Sequence, residues 1–263
     1  MSSAQPDLEK KLAGSGRLLP SLKLLYVYAL ATGAILTFMA YWDGMFLSSA
    51  GPLTGLGFGV MTILVMPIAF VYCEFAAMVP KVGAEVVYNT VGLNKHFGFL
   101  ATWLILVAWL AVPPAGMMGI IEWFNFAFKL SLTYSQTVLI SSVVLIIFFW
   151  LNMRGVQIAG QIQTVMLFSA LFGCILTGII FLLSPQWSVD NFKPVLQSAM
   201  GGGGSSGTGG LYGVIIGVAL LITPFFGFET VPQLVEEGTF PIKDMHKAIW
   251  GSVLTCGVLY TFY

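Results

Sequence analysis

Six stretches of this chain are each apolar for long enough to cross a bilayer, and that constrains its fold more than any other feature. About 20 consecutive apolar residues are needed to traverse roughly 30 Å of hydrocarbon. The runs Leu24 to Ser48, Gly57 to Val79, Phe97 to Phe128, Tyr134 to Leu151, Ile158 to Leu183 and Leu211 to Val235 meet that length. A seventh begins near Lys247 and is still apolar at Tyr263, where the sequence given ends. In lipid every backbone N–H and C=O must find its partner inside the segment, so runs of this kind become helices. The expected fold class is therefore an all-α membrane protein. A run ending in mid-membrane is read as a truncation within the seventh transmembrane helix, which leaves a fragment that is not expected to transport by itself.

Charge sets the orientation and excludes some functions. Only 8% of the residues are charged, against about 25% in an average soluble domain. With the N-terminus inside, Lys10, Lys11, Arg17, Lys23, Lys81, Lys95, Arg154, Lys243 and Lys247 fall on the cytoplasmic side. Lys129 and Lys193 alone fall outside, the asymmetry that the positive-inside rule requires. The formal net charge is zero, and no basic run is long enough to hold a nucleic acid. Residues 1–23 read as a polar cytoplasmic tail with no cleavage site. Residues 24–183 then hold five spans, 184–210 a Gly/Ser-rich extracellular loop, and 211–263 the sixth span and part of a seventh.

Catalytic and metal motifs are not evident. Cys73, Cys174 and Cys256 stand singly in separate apolar runs, without the paired spacing of a metal site or a disulfide framework. His96 and His246 fall near span ends, and no HExxH or GxSxG motif occurs. No cofactor, metal or enzymatic activity is therefore expected.

The acids inside the spans carry more information, since a carboxylate at a helix centre costs about 2.5 to 3.5 kcal/mol on insertion scales. Glu74 lies close to the cytoplasmic surface. Glu122 sits beside Trp123 near the outer end of span three, which favours a rim charge. Asp43 either lines an outer vestibule or marks a helix end. Glu229 differs, because it lies within ITPFFGFETVPQLVEE (222–237), between Pro224, Gly227 and Pro232. Proline removes a helix donor and clashes with the preceding turn, while glycine relaxes the backbone. Unwound backbone at that depth is tolerated only where it is buried in protein or lines a watery cavity. Such a break exposes N–H groups at one half-helix end and carbonyls at the other, suited to a zwitterionic or cationic small molecule. A plain proline kink, with Glu229 bonded to a neighbouring helix, is the alternative. A matching break in span one, within ATGAILTFMAYWDG (31–44), is only hinted at by Gly33 and Thr37.

Several motifs resemble the amino acid-polyamine-organocation (APC) transporters. EFAAMVPKVGAEVVYNTVGLNKHFGFLATW (74–103) is similar to that family's acid, proline, small-residue pair and tyrosine before a Gly-Phe entry into span three. LNMRGVQIAGQIQTV (151–165) resembles its Asn-x-Arg-Gly segment between spans four and five. FFGFETVPQLVEE (225–237), followed by Pro241, resembles its broken sixth helix and paired glutamates. The resemblance implies a LeuT-type inverted-repeat helical bundle, with residues 24–183 as the first repeat and 211–263 as the start of the second. It implies a secondary active transporter for an amino acid or related amine, working by alternating access and coupled to a proton. A non-transporting membrane scaffold or partner subunit, or an inactive gene fragment, are the competing readings. Carried over by position, the substrate-binding residues are Ile35, Thr37, Phe38, Met39, Thr223, Phe225, Phe226 and Gly227, with Leu36, Pro224 and Phe228 in the same breaks. Glu229 matches the acid that some relatives link to proton sensing or substrate release, and is the proton-coupling candidate. The chain departs from the family in its Thr37-Phe38-Met39 segment, where many relatives have Gly-Ser-Gly, and in Thr223-Pro224 at the place of an aromatic gate. The implied partners are a small-molecule substrate, a coupling proton and the lipid bilayer of the cell membrane.

Overall fold

The computed structural model describes residues 21–36, 54–185, 187–188, 190 and 221–262. Among the described residues the chain is helical, and only one isolated bridge, Leu22 to Gly238, pairs extended backbone. The helices are α1 (Leu24–Leu36), α2 (Thr54–Met78), α3 (Ala84–Gly92), α4 (Lys95–Phe128), α5 (Tyr134–Asn152), α6 (Val156–Leu182), the single turn α7 (Thr230–Gln233) and α8 (Met245–Phe262). Four of them, α2, α4, α5 and α6, are long and apolar enough to span a membrane.

Local chemistry explains where these helices begin and end. The Asn94 side chain accepts hydrogen bonds from the backbone N–H of His96 and Phe97, at 2.9 and 3.3 Å. That capping satisfies orphan donors and starts α4 two residues ahead of the apolar run. At α5 the Gln136 side chain accepts from the Thr133 N–H at 2.9 Å. Gly155, at φ 118°, turns the chain between α5 and α6. Gly83, at φ 97°, opens α3, a short helix that the hydropathy of the sequence does not announce.

The buried core lies where α1, α2, α8 and residues 221–238 meet, and it includes Ile35, Phe58, Leu221, Phe225, Ile249, Val253 and Tyr260. Without a hydrophobic drive between helices in lipid, close backbone approach depends on small residues. A Cβ on Gly257 of α8 would lie 2.2 Å from the Thr62 hydroxyl of α2, and one on Gly55 would lie 3.0 Å from the Thr261 carbonyl. The Tyr28 and Thr255 hydroxyls, 2.7 Å apart, link α1 to α8. Just before α1, the N–H groups of Ser21 and Leu22 both donate to the Glu237 carbonyl at 2.8 Å, and the Thr239 N–H donates to Leu22 O at 2.8 Å. These bonds lock the entry of α1 to the segment after α7. Helices α4, α5 and α6 instead present broad apolar surfaces, including Leu104, Leu110, Phe149, Phe172 and Ile180, the composition that a hydrocarbon environment accepts.

Candidate functional site

Residues 221–229 form no regular α-helix. A 3-10 turn, Thr223–Phe225, has Pro224 near its start, and turns follow up to Glu229. Gly227 takes φ 140°, a backbone conformation that disfavours any side chain. Its position also demands glycine, because a Cβ there would lie 2.8 Å from the Ile35 nitrogen and 2.9 Å from Ala34 Cβ. The turn in the sixth apolar segment is thus pressed directly against Ala34 and Ile35 of α1.

Side chains hold this turn open. The Gly227 N–H donates to Glu229 Oε2 at 2.7 Å, and the Thr230 hydroxyl donates to the Gly227 carbonyl at 2.6 Å. The carboxylate therefore satisfies a backbone donor that a continuous helix would have satisfied within itself. From α8 the buried Tyr260 hydroxyl donates to the Ile35 carbonyl at 2.6 Å and lies 3.4 Å from the Pro224 carbonyl. Its ring is flanked by Phe58 and Phe225, at centroid separations of 4.9 and 5.6 Å.

A cavity of about 390 Å³ opens beside the turn, a size suited to a small molecule. Val65, Ile68 and Tyr72 of α2, five residues of α4 from Leu104 to Val112, Ile222, Phe225, Phe226 and Phe228 form most of its wall. Its polar groups come from Tyr72, Glu85, Glu229 and Gln233. Gln233 donates to Glu85 Oε2 at 3.2 Å, across 148 positions of sequence. Glu85 lies on α3, outside the membrane-spanning helices. Burial pushes its carboxyl above the ordinary value, against the opposing effects of its own backbone N–H, Gln233 and Tyr72. Lys81, four residues before Glu85, pairs with Glu236, three residues after Gln233, at 3.5 Å.

Of the residues singled out in the sequence, Ile35, Phe225 and Gly227 meet at the junction of α1 and the turn, and Phe225, Phe226 and Glu229 line the cavity. Phe226 is half exposed, Phe225 is buried, and Thr223 is partly buried in the turn without lining the cavity. Thr37, Phe38 and Met39, like Asp43, the residues 211–220 and the Gly/Ser-rich stretch, lie outside the described residues. Glu74 and Glu122 are exposed, as are His96 and His246. Sequence reasoning passed over Tyr72, Glu85, Gln233 and Tyr260. Glu85 was visible as an acid two residues after Gly83, but only the fold turns it towards Glu229's cavity.

Apolar helices of membrane-spanning length around an unwound segment, with a cavity of small-molecule size beside it, are the architecture of a multi-pass membrane protein. The chain belongs to the amino acid permease family, which it matches over residues 22–263, and so to the APC superfamily. It is 25% identical over 271 residues to the branched-chain amino acid permease BcaP of Bacillus subtilis, covering 97% of this chain and 56% of that protein. It is 24% identical over 226 residues to the glutamate/serine transporter AimA of the same organism, covering 80% and 40%. The methylthioribose transporter of B. subtilis is 24% identical over 230 residues, covering 81% and 46%. The chain thus spans about half the length of these curated relatives, which are permeases and transporters, not enzymes. No solved structure matches it significantly.

Proposed function

We propose that this chain forms the broken-helix half of a secondary active transporter for an amino acid or related amine, which moves its substrate by alternating access. The observation that carries this reading is Gly227, held at φ 140° against the Ile35 backbone, with Glu229 on its N–H. That arrangement sets the Glu229 carboxylate on the wall of the cavity, beside backbone that has left regular helix, where the amine of a zwitterion can trade its hydration for a fixed negative group. The names of the relatives support a polar organic solute, and the aromatic and aliphatic wall favours one with an apolar side chain. Ile35, Thr37, Phe38, Met39, Thr223, Phe225, Phe226 and Gly227 are assigned to substrate binding, and Glu229 to proton coupling. The N-terminus is placed in the cytoplasm, with residues 24–183 as a first repeat and 211–263 as the start of a second.

The test is uptake of labelled amino acids and amines by the intact protein in proteoliposomes, with and without a pH gradient. Concentrative uptake of one class supports the reading, and none for any of them overturns it. Glu229→Gln keeps an oxygen acceptor for the Gly227 N–H but cannot ionise, so it is expected to retain uptake and lose its dependence on pH. Unchanged pH dependence removes Glu229 from the coupling.

A further inference from the structure

Two carboxylates from distant parts of the sequence, Glu85 and Glu229, line one largely apolar cavity. Among the described residues, the groups around them offer no compensating cation. From α2 comes Tyr72, from α3 Tyr88, from the segment after the turn Gln233, and from α4 only Leu104, Ile105, Ala108, Trp109 and Val112. Lys95 and His96, at the start of α4, are exposed and line no part of the cavity. Lys81 pairs with Glu236 and lines no part of the cavity. Glu85 Oε2 accepts from Gln233 and Tyr72 faces the same carboxylate, whereas Oε1 is buried and, among the described residues, meets no hydrogen-bond partner. Tyr88, on the same helix as Glu85 and only 8% exposed, also has a buried hydroxyl without a partner among the described residues.

An ionised carboxylate oxygen buried without a donor is costly, and a second carboxylate in the same cavity adds like-charge repulsion. One proton relieves both, since it removes a charge and gives the pair a donor. We propose that Glu85 is a second proton-binding carboxylate of the transport cavity, coupled to Glu229 so that the pair carries one proton while the cavity excludes water. The proton enters from bulk water as the carboxylates are desolvated, and returns to water when the Gln233 contact opens and Glu85 is rehydrated. Glu85 needs no contact with substrate for this and acts as a coupling residue. Only the name "transport cavity" rests on the function proposed above, because the protonation itself does not require transport.

Infrared titration of protonated carboxyl groups tests this on the intact protein in lipid nanodiscs. The unmutated protein is expected to keep a protonated carboxyl above the ordinary glutamate range, and Glu85→Gln to remove or diminish that signal. Coupling is reciprocal, so Glu229→Gln should move the remaining Glu85 titration to lower pH by about one pH unit. This second variant reports the coupling even where Glu85→Gln does not fold. A signal untouched by Glu85→Gln, or a Glu85 titration unmoved by Glu229→Gln, overturns the proposal. Absence of uptake with the coupled titration intact sinks the transporter reading alone, and active uptake with an unmoved titration sinks this one alone.

Discussion

The Tyr260 hydroxyl donates to the Ile35 carbonyl across 225 positions of sequence, at 2.6 Å, and both residues are buried. The same oxygen lies 3.4 Å from the Pro224 carbonyl. One phenol on α8 therefore sits between Ile35 of α1 and the turn in the sixth apolar segment. The Pro224 carbonyl belongs to backbone that has left regular helix, where orphan acceptors accumulate. Tyr260→Phe keeps the ring contacts with Phe58 and Phe225 and removes only the donor. The expected cost is about 1 to 2 kcal/mol, read as a lowered melting temperature of the purified protein. Uptake should fall further than that loss of stability accounts for, since the junction itself is loosened. An unchanged melting temperature and uptake would show that the hydroxyl does not hold the junction.

Gly227 fails as alanine for two separate reasons. Its φ of 140° disfavours a side chain, and an added Cβ would lie 2.8 Å from the Ile35 nitrogen, an atom of the backbone that cannot rotate away. Gly227→Ala is expected to cost about 1 to 3 kcal/mol from backbone strain, and the displacement of α1 adds to it. Thermal unfolding measures the first effect. Loss of substrate protection against unfolding measures the second, and wild-type values for both would mean that α1 and the turn are not in contact.

The spans were legible because hydropathy reports burial in lipid directly, and α2, α4, α5, α6 and α8 lie within a few residues of the apolar runs that indicated them. Pro224, Gly227 and Glu229 were legible as a group, because three residues that disfavour an apolar helix stand within six positions. The partners of that group were not. Glu85 and Tyr260 reach it from α3 and α8, and no local pattern specifies which distant side chain completes a set of hydrogen bonds. α3 was also hidden, since its apolar residues are too few to register against the spans around it.

Close packing of α8 on α2 rests on a missing side chain. A Cβ on Gly257 would fall 2.2 Å from Thr62 Oγ1, and Thr62 is itself fixed by donating to the Phe58 carbonyl at 2.7 Å. Gly257→Ala is therefore expected to separate the helices and lower the melting temperature. Thr62→Ala should recover part of that loss in the double variant. A double-mutant cycle is expected to give a coupling of about 0.5 to 3 kcal/mol, whereas simple additivity would show that the two residues do not meet.

Stability should also depend on pH through Glu85, and the sign follows from its environment. Burial raises its carboxyl above the ordinary value, so between the ordinary and the folded value the folded protein holds a proton that the unfolded chain has released. Stability contributed by that proton is fully present below the ordinary value and is lost as pH rises through the folded one. Melting temperature measured against pH should accordingly fall across this window in the unmutated protein. Glu85→Gln removes the titrating group while retaining an oxygen acceptor for Gln233, so its profile should be flatter over the same window. An identical slope in the variant would assign the pH dependence to other carboxylates and leave Glu85 ionised in the folded state.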